Sequence, residues 1–138
     1  MLYQKKLRFS TTGRGTYNIS KQIAETVENS GVKSGICHIF IQHTSASLIL
    51  CENADANVRE DLNTYMAKLV KDGDNAYKHK DEGDDDMAAH IRTILTQSSL
   101  SIPIYKGKCD LGLWQGVFLW EHRTSAFKRN IAVTIMGE

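Results

Sequence analysis

The sequence predicts an α+β protein: one compact domain over residues 1–138, mostly antiparallel β-sheets in a sandwich- or barrel-like arrangement, and about three helices. Three observations carry this prediction. Apolar residues recur with the two-residue period of strands in several short runs, and with the helical period in three others. No internal repeat is found, and the single proline, Pro103, leaves no Pro-rich linker at which to divide the chain. A chain of this length can bury roughly two thirds of the surface its unfolded form exposes, so a core is affordable without disulfides or a structural metal.

Taken in order, YQKKLRF places Tyr3, Lys5, Leu7 and Phe9 on alternate positions, and GTYNI after Gly13 and Gly15 reads as a second strand, giving a hairpin-like start. Ser20 is a candidate cap for a helix through about Asn29, with Ile23, Ala24 and Val27 at helical spacing and Gly31 just beyond. In the strand GICHIFIQH, Cys37, Ile39, Ile41 and His43 share one face. SLILCEN is the next strand. Asn53 can then cap a helix to about Val70 whose expected buried stripe is Val58, Leu62, Tyr65 and Leu69. That stripe would put Asp55 and Asp61 on its two borders, where a cleft wall would lie.

Residues 71–85, KDGDNAYKHKDEGDD, form a charged loop of a length usually reserved for function or disorder. A third helix follows, with Asp84, Asp85 and Asp86 suited to its positive end and Met87, Ile91, Ile94 and Leu95 expected to be buried. The remainder is β: SIPIY, a turn at KGKCD, LWQGVFLWE, and a last strand with Ile131, Val133 and Ile135 on one side.

Composition narrows the function classes. With 17 basic and 16 acidic residues the net charge is +1, which argues against a nucleic-acid or membrane-surface partner. Cys37, Cys51 and Cys109 form no CxxC pair and point to a reduced, cytoplasmic protein. The N-terminal residues mix charge into every apolar run, as a secretion signal does not, and no apolar run approaches the ~20 residues of a membrane span.

The stretch IQHTSASLILCENAD concentrates polar groups between a strand and a helix start. Hydroxyls such as Ser45, together with helix-end N–H groups near Asn53 to Asp55, make a corner suited to an anion; Ser45, Glu52 and Asn53 are candidate ligand-binding residues, and Asp55 there is either helix support or a ligand-binding or acid–base group. His43, His79 and His90 are candidate ligands for a divalent metal, zinc or magnesium, with Glu52, Asp55, Asp61 or Asp85 as oxygen donors. Each has a plainer reading: His43 as a hydrogen-bonded core histidine, His79 as a solvated loop residue, His90 as a surface partner of Asp86 one turn earlier. His38 and His122 are read as structural or exposed. Arg123 and Arg129 are candidate clamps for a phosphate or carboxylate. Gln115 draws attention as an amide in an apolar strand, where burial would demand partners at both ends. No P-loop, Rossmann fingerprint or GxSxG elbow occurs.

Over nearly its whole length the chain resembles the YjbQ family, also called the secondary thiamine-phosphate synthase family. The resemblance rests on FIQHTSASL, ENAD followed by VREDL, GDDDMAAHI, and SIPIYKGKCDLGLWQGVFLWEHR. The chain departs at Ala56 and Ala88, where many relatives carry proline, and at Leu113, where a polar or small residue is common. The resemblance implies a homotrimer whose pocket is lined by His43, Asp55, Asp61, His79, His90, Gln115 and Glu121, and a weak thiamine phosphate synthase activity. The dedicated enzyme for that reaction is a TIM barrel of typically ~250 residues, so such an activity here would use an unrelated site.

Three function classes follow. The first is an enzyme acting on a small phosphorylated or otherwise anionic metabolite, with His43, Asp55, Asp61 and His90 in acid–base roles. The second is a module that binds a metabolite or metal without transforming it. The third is an assembly protein whose histidines line a trimer interface.

Overall fold

The computed structural model describes residues 1–138. Its elements run β1 (Leu2–Ser10), β2 (Gly15–Asn18), α1 (Ser20–Ser30), β3 (Ser34–Ile41), β4 (Ala46–Glu52), α2 (Ala56–Leu69), α3 (Asp84–Leu95), β5 (Ser99–Tyr105), β6 (Lys108–Cys109), β7 (Gln115–Glu121) and β8 (Lys128–Gly137). The fold is α+β, with every strand pair antiparallel. One sheet has the order β1-β8-β3-β5-β6 and the other β2-β7-β4. No helix is long and apolar enough to cross a membrane.

Strand alternation sets the register of the larger sheet. Cys37, Ile39 and Ile41 of β3, Leu100, Ile102 and Ile104 of β5, and Ile131, Val133 and Ile135 of β8 all turn inward and join one core. A one-residue slip in any of these strands would turn its whole apolar set to water. Ala46, Leu48, Val117 and Leu119 of the smaller sheet meet them, and Ile23 and Val27 of α1 close the same core. Where β3 and β8 pair at Gly35 and Gly137, glycine is required: a Cβ on Gly35 would stand 2.0 Å from the Met136 carbonyl oxygen.

The smaller sheet is covered on both sides, which is why β7 is buried from Gly116 to Glu121. Its second face carries Trp120 against Met66, Val70 and Ala88 of the α2–α3 layer. The Trp120 indole donates to Asn63 Oδ1 at 3.0 Å, and the Arg59 guanidinium lies 4.7 Å over the Phe118 ring.

The helices depart from the expected faces. In α1, Thr26 and Ser30 are buried and Ala24 is exposed; the two hydroxyls donate back to the carbonyls of Gln22 and Val27. Ser20 does not cap α1, for its hydroxyl accepts from Val117 N–H at 2.8 Å and ties the helix to β7. The cap of α2 is Asp55, accepting from Asn57 N–H at 2.9 Å, not Asn53. Helix α2 is rolled so that Met66 is buried and Tyr65 and Leu69 face out. Helix α3 buries Asp86, Ala88, Ala89, Arg92 and Thr93, leaving Ile94 82% exposed and Leu95 exposed. Its small residues allow close approach to the sheet, while Asp86 is drawn inward by the cation described below.

Candidate functional site

Asp86 is the point on which three side chains, His79, His90 and Arg123, converge. It lies in the first turn of α3 and is only 2% exposed. One carboxylate oxygen, Oδ2, is 2.6 Å from His79 Nε2 and 3.4 Å from His90 Nε2. The other, Oδ1, accepts from Arg123 Nη1 at 2.9 Å. His90 reaches the site because it stands one helical turn after Asp86; His79 comes from the connection between α2 and α3.

The surroundings hold each group in place. Arg123 also donates through Nε to Asp85 Oδ2 at 2.8 Å and through Nη2 to the Glu82 carbonyl at 2.9 Å. Burial raises the Asp86 pKa, but the His79 hydrogen bond and the charges of Arg123 and His90 outweigh it and hold the carboxyl below its usual range. Asp85 behaves likewise: burial is offset by hydrogen bonds from Thr124 N–H and Arg123. His90 Nδ1 is 3.1 Å from the Thr44 carbonyl, so Nδ1 carries the proton and donates there.

A cleft of about 180 Å³ opens beside His79, walled by Asp74, Asn75, Tyr77, Lys80 and Asp84 with Gly73 and Gly83. Its walls are an ordered loop. Arg14 grips Asp72 through two nitrogens at 2.8 and 2.9 Å, Gly73 N–H donates to the Asp84 carbonyl, and Tyr77 Oη donates to the Lys71 carbonyl.

The other candidate residues separate into three places. His43 stands apart from the Asp86 group: its Nε2 accepts from Asn130 N–H at 2.7 Å, which takes the lone pair a metal would need. Burial, then the Arg129 charge, lowers its pKa. Glu121 and Arg129 are buried and paired, with Arg129 Nε 2.8 Å from Glu121 Oε1, and Thr11 and Ser45 complete the network. Glu121 is held by Thr11, by the His122 and Arg123 N–H groups and by Arg129, and Arg129 commits its Nε and Nη2 to Glu121 and Ser45. Arg123 is similarly occupied by Asp85 and Asp86, which take the place expected for an external anion.

Glu52, Asn53, Asp55 and Gln115 lie at the far end of β4. Between Ser45 and Glu52 the strand advances ~20 Å, so within one chain these groups and the Asp86 site are two regions. Glu52 Oε2 accepts from Ala54 and Asp55 N–H, Asp55 caps α2, and Asp61 is exposed. Gln115 is exposed, not buried; its Oε1 closes a turn by accepting from Gly112 N–H at 2.8 Å. The buried histidine is His122, bonded through Nε2 to Ser47 Oγ at 2.8 Å.

A family described as UPF0047 protein YjbQ-like matches residues 5–138. The chain belongs to this family. A UPF0047 protein of Synechocystis is 48% identical over 136 residues, spanning 99% of this chain and 92% of that one. The UPF0047 protein YjbQ of Escherichia coli O157:H7 is 40% identical over 139 residues, the full length of both. Among solved structures, a YbjQ-like protein of unknown function from Sulfolobus solfataricus superposes with a TM-score of 0.90 at 30% identity, covering 100% of this chain and 99% of that one. An uncharacterised conserved protein of the YjbQ/UPF0047 family from Clostridium acetobutylicum gives 0.84 at 31% identity, covering 97% and 99%. The UPF0047 fold thus accounts for the whole chain.

Sequence reasoning passed over Asp86 as a ligand because a carboxylate in the run Asp84-Asp85-Asp86 reads as solvated helix support. The available signal was its spacing of four from His90, which puts the pair on one helix face.

Proposed function

We propose that this UPF0047 protein acts on a small anionic, phosphorylated or carboxylated metabolite bound in the cleft beside His79, with His79, Asp86 and His90 as the groups that address it. The observation that carries the reading is the convergence of two imidazoles on one oxygen of a buried carboxylate, with one of the imidazoles, His79, also lining a polar cleft. A buried, perturbed carboxylate with specific charged partners is a recognised mark of a functional site. Lys80 adds a cation to the cleft wall. Acid–base work by the imidazoles is the chemistry such a site can supply.

The homotrimer belongs to the same proposal. Support for it is the apolar surface that one chain leaves uncovered: Ile94 and Leu95 of α3, and Leu113, 81% exposed, with Trp114 in the turn before β7. Thiamine phosphate synthesis is the activity to try first, because both its substrates are anionic and its leaving group is pyrophosphate.

The test is a thermal-shift screen of the full chain against inorganic phosphate, pyrophosphate and small phosphorylated and carboxylated metabolites. Product analysis of a pyrimidine pyrophosphate with a thiazole phosphate runs beside it. At least one compound should give a saturable shift that His79→Ala and His90→Ala abolish. Turnover lost in the same variants would make the protein an enzyme; a shift without turnover would make it a binding module. No shift with any compound, or shifts that both variants retain, would remove the cleft from consideration.

A further inference from the structure

We infer that His79 Nε2, Asp86 Oδ2 and His90 Nε2 form a binding site for one zinc-like divalent ion, with a coordination position left open toward the cleft. The inference rests on the reading of this cluster as the functional site and deepens it. The three atoms lie within 4.8 Å of one another.

The tautomer of His90 is the decisive point. Its Nδ1 faces a carbonyl oxygen, which can only accept, so the ring proton resides there. In its neutral form the ring presents the bare Nε2 lone pair to Asp86 Oδ2 at 3.4 Å, two acceptors facing one another, whereas in its protonated form the same nitrogen is a donor to that oxygen. A cation between them converts that repulsion into two bonds. Ligand atoms held ~2.0–2.2 Å from one tetrahedral zinc stand roughly 3.3–3.6 Å apart, and the His90 to Asp86 separation already fits. His79 is closer, hydrogen-bonded to the same oxygen at 2.6 Å, and would have to withdraw by roughly 0.8 Å to meet that tetrahedral spacing. It is the ligand able to do so, being 47% exposed and carried by a loop.

The outer partners are also those of a metal site. Metal-bound histidines usually donate their second nitrogen to a carbonyl or carboxylate, as His90 does to Thr44. A ligating carboxylate is usually hydrogen-bonded in turn, as Asp86 is by Arg123. Two imidazoles and one carboxylate suit zinc, whereas magnesium takes oxygen donors and keeps its waters. Three protein ligands leave a position open, as in sites where zinc meets a substrate, not in closed structural sites. An ion there would give the cleft the positive charge that its own Asp74 and Asp84 deny it, which fits an anionic ligand.

The experiment titrates zinc and magnesium separately into the dialysed full-length protein by calorimetry, and follows cobalt(II) by its visible spectrum as a report of coordination geometry. We expect one zinc per chain, no magnesium binding, and a tetrahedral cobalt spectrum. Outer partners are typically worth roughly 10–100-fold in affinity, the loss expected for Arg123→Gln, so His79→Ala and His90→Ala should each cost more than about 100-fold. His43→Ala should leave zinc affinity unchanged. His79 and His90 are partly exposed, and circular dichroism will show that their alanine variants remain folded. Absence of stoichiometric zinc in the wild type, or unchanged zinc affinity and cobalt spectrum in both histidine variants, overturns the inference. The metabolite screen separates the two readings: a shift without metal removes only the ion, and stoichiometric zinc with no metabolite shift removes only the cleft ligand.

Discussion

Acidification should destabilise this protein through His122. Its ring is fully buried, bonded to Ser47 Oγ and 5.2 Å from the Trp120 ring, with no partner for Nδ1. Burial, then the charges of Arg92, Arg14 and Arg129, pushes its pKa down from 6.5 to about 3. The sign follows from linkage: below about pH 6.5 the unfolded chain takes up a proton that the folded one refuses, so stability falls as pH falls, and the loss is complete near pH 3. At about 1.4 kcal/mol per unit, the full effect is ~5 kcal/mol, of which ~2 kcal/mol is lost by pH 5. That is a large share of the roughly 5–15 kcal/mol by which a domain is stable. Urea unfolding of the wild type and of His122→Gln at half-unit steps from pH 8 to 4.5 measures it. The variant should show the shallower slope below pH 6.5, because every other titrating group is common to both proteins. Equal slopes in that window would refute the reasoning.

Three further outcomes are expected. Arg129→Met should destabilise by about 3–5 kcal/mol in chemical denaturation, because it strands the buried Glu121 carboxylate, while Arg129→Met with Glu121→Leu should recover much of that loss. Asp55→Ala should cost about 1 kcal/mol through the lost α2 cap, and the metabolite shift at the distant cleft should survive it. If the exposed apolar residues are contact surface, light scattering should give three times the mass of the 15.5 kDa chain, and Leu113→Asp with Ile94→Asp should reduce it; a wild-type monomer at micromolar concentration would defeat the trimer.

Strand elements were legible because a strand's burial repeats every two residues, a pattern that local sequence displays directly. Ile131, Val133 and Ile135, and likewise Cys37, Ile39 and Ile41, turn inward as their alternation predicts. Gly31 ends α1 in the left-handed region at φ 75°, which its lack of a Cβ makes easy. Helix faces were harder to read. The apolar stripe expected of α3 favoured Ile94 and Leu95, yet those are exposed and Asp86, Arg92 and Thr93 are buried. The buried polar groups of α3 are held from elsewhere in the chain: Arg92 Nη2 donates to the Val70 carbonyl, and Asp86 is paired with Arg123. Gln115 shows the same limit from the other side: its strand is apolar, but it is the strand's exposed first residue, and its side chain closes the turn before it.

By itself the sequence determined the α+β class, the run of strands and helices, and the family, since these rest on local periodicity and on motifs spread along the chain. Only the tertiary structure decided which polar residues meet. His43 and His90 were equal candidates until Asn130 N–H was found on one and the Thr44 carbonyl on the other. Asp86 gained its central place because Arg123, 37 positions away, turns it inward between two histidines. Hydrogen bonds between residues distant in the chain leave no periodic trace in it, and they are what separates a solvated carboxylate from a site.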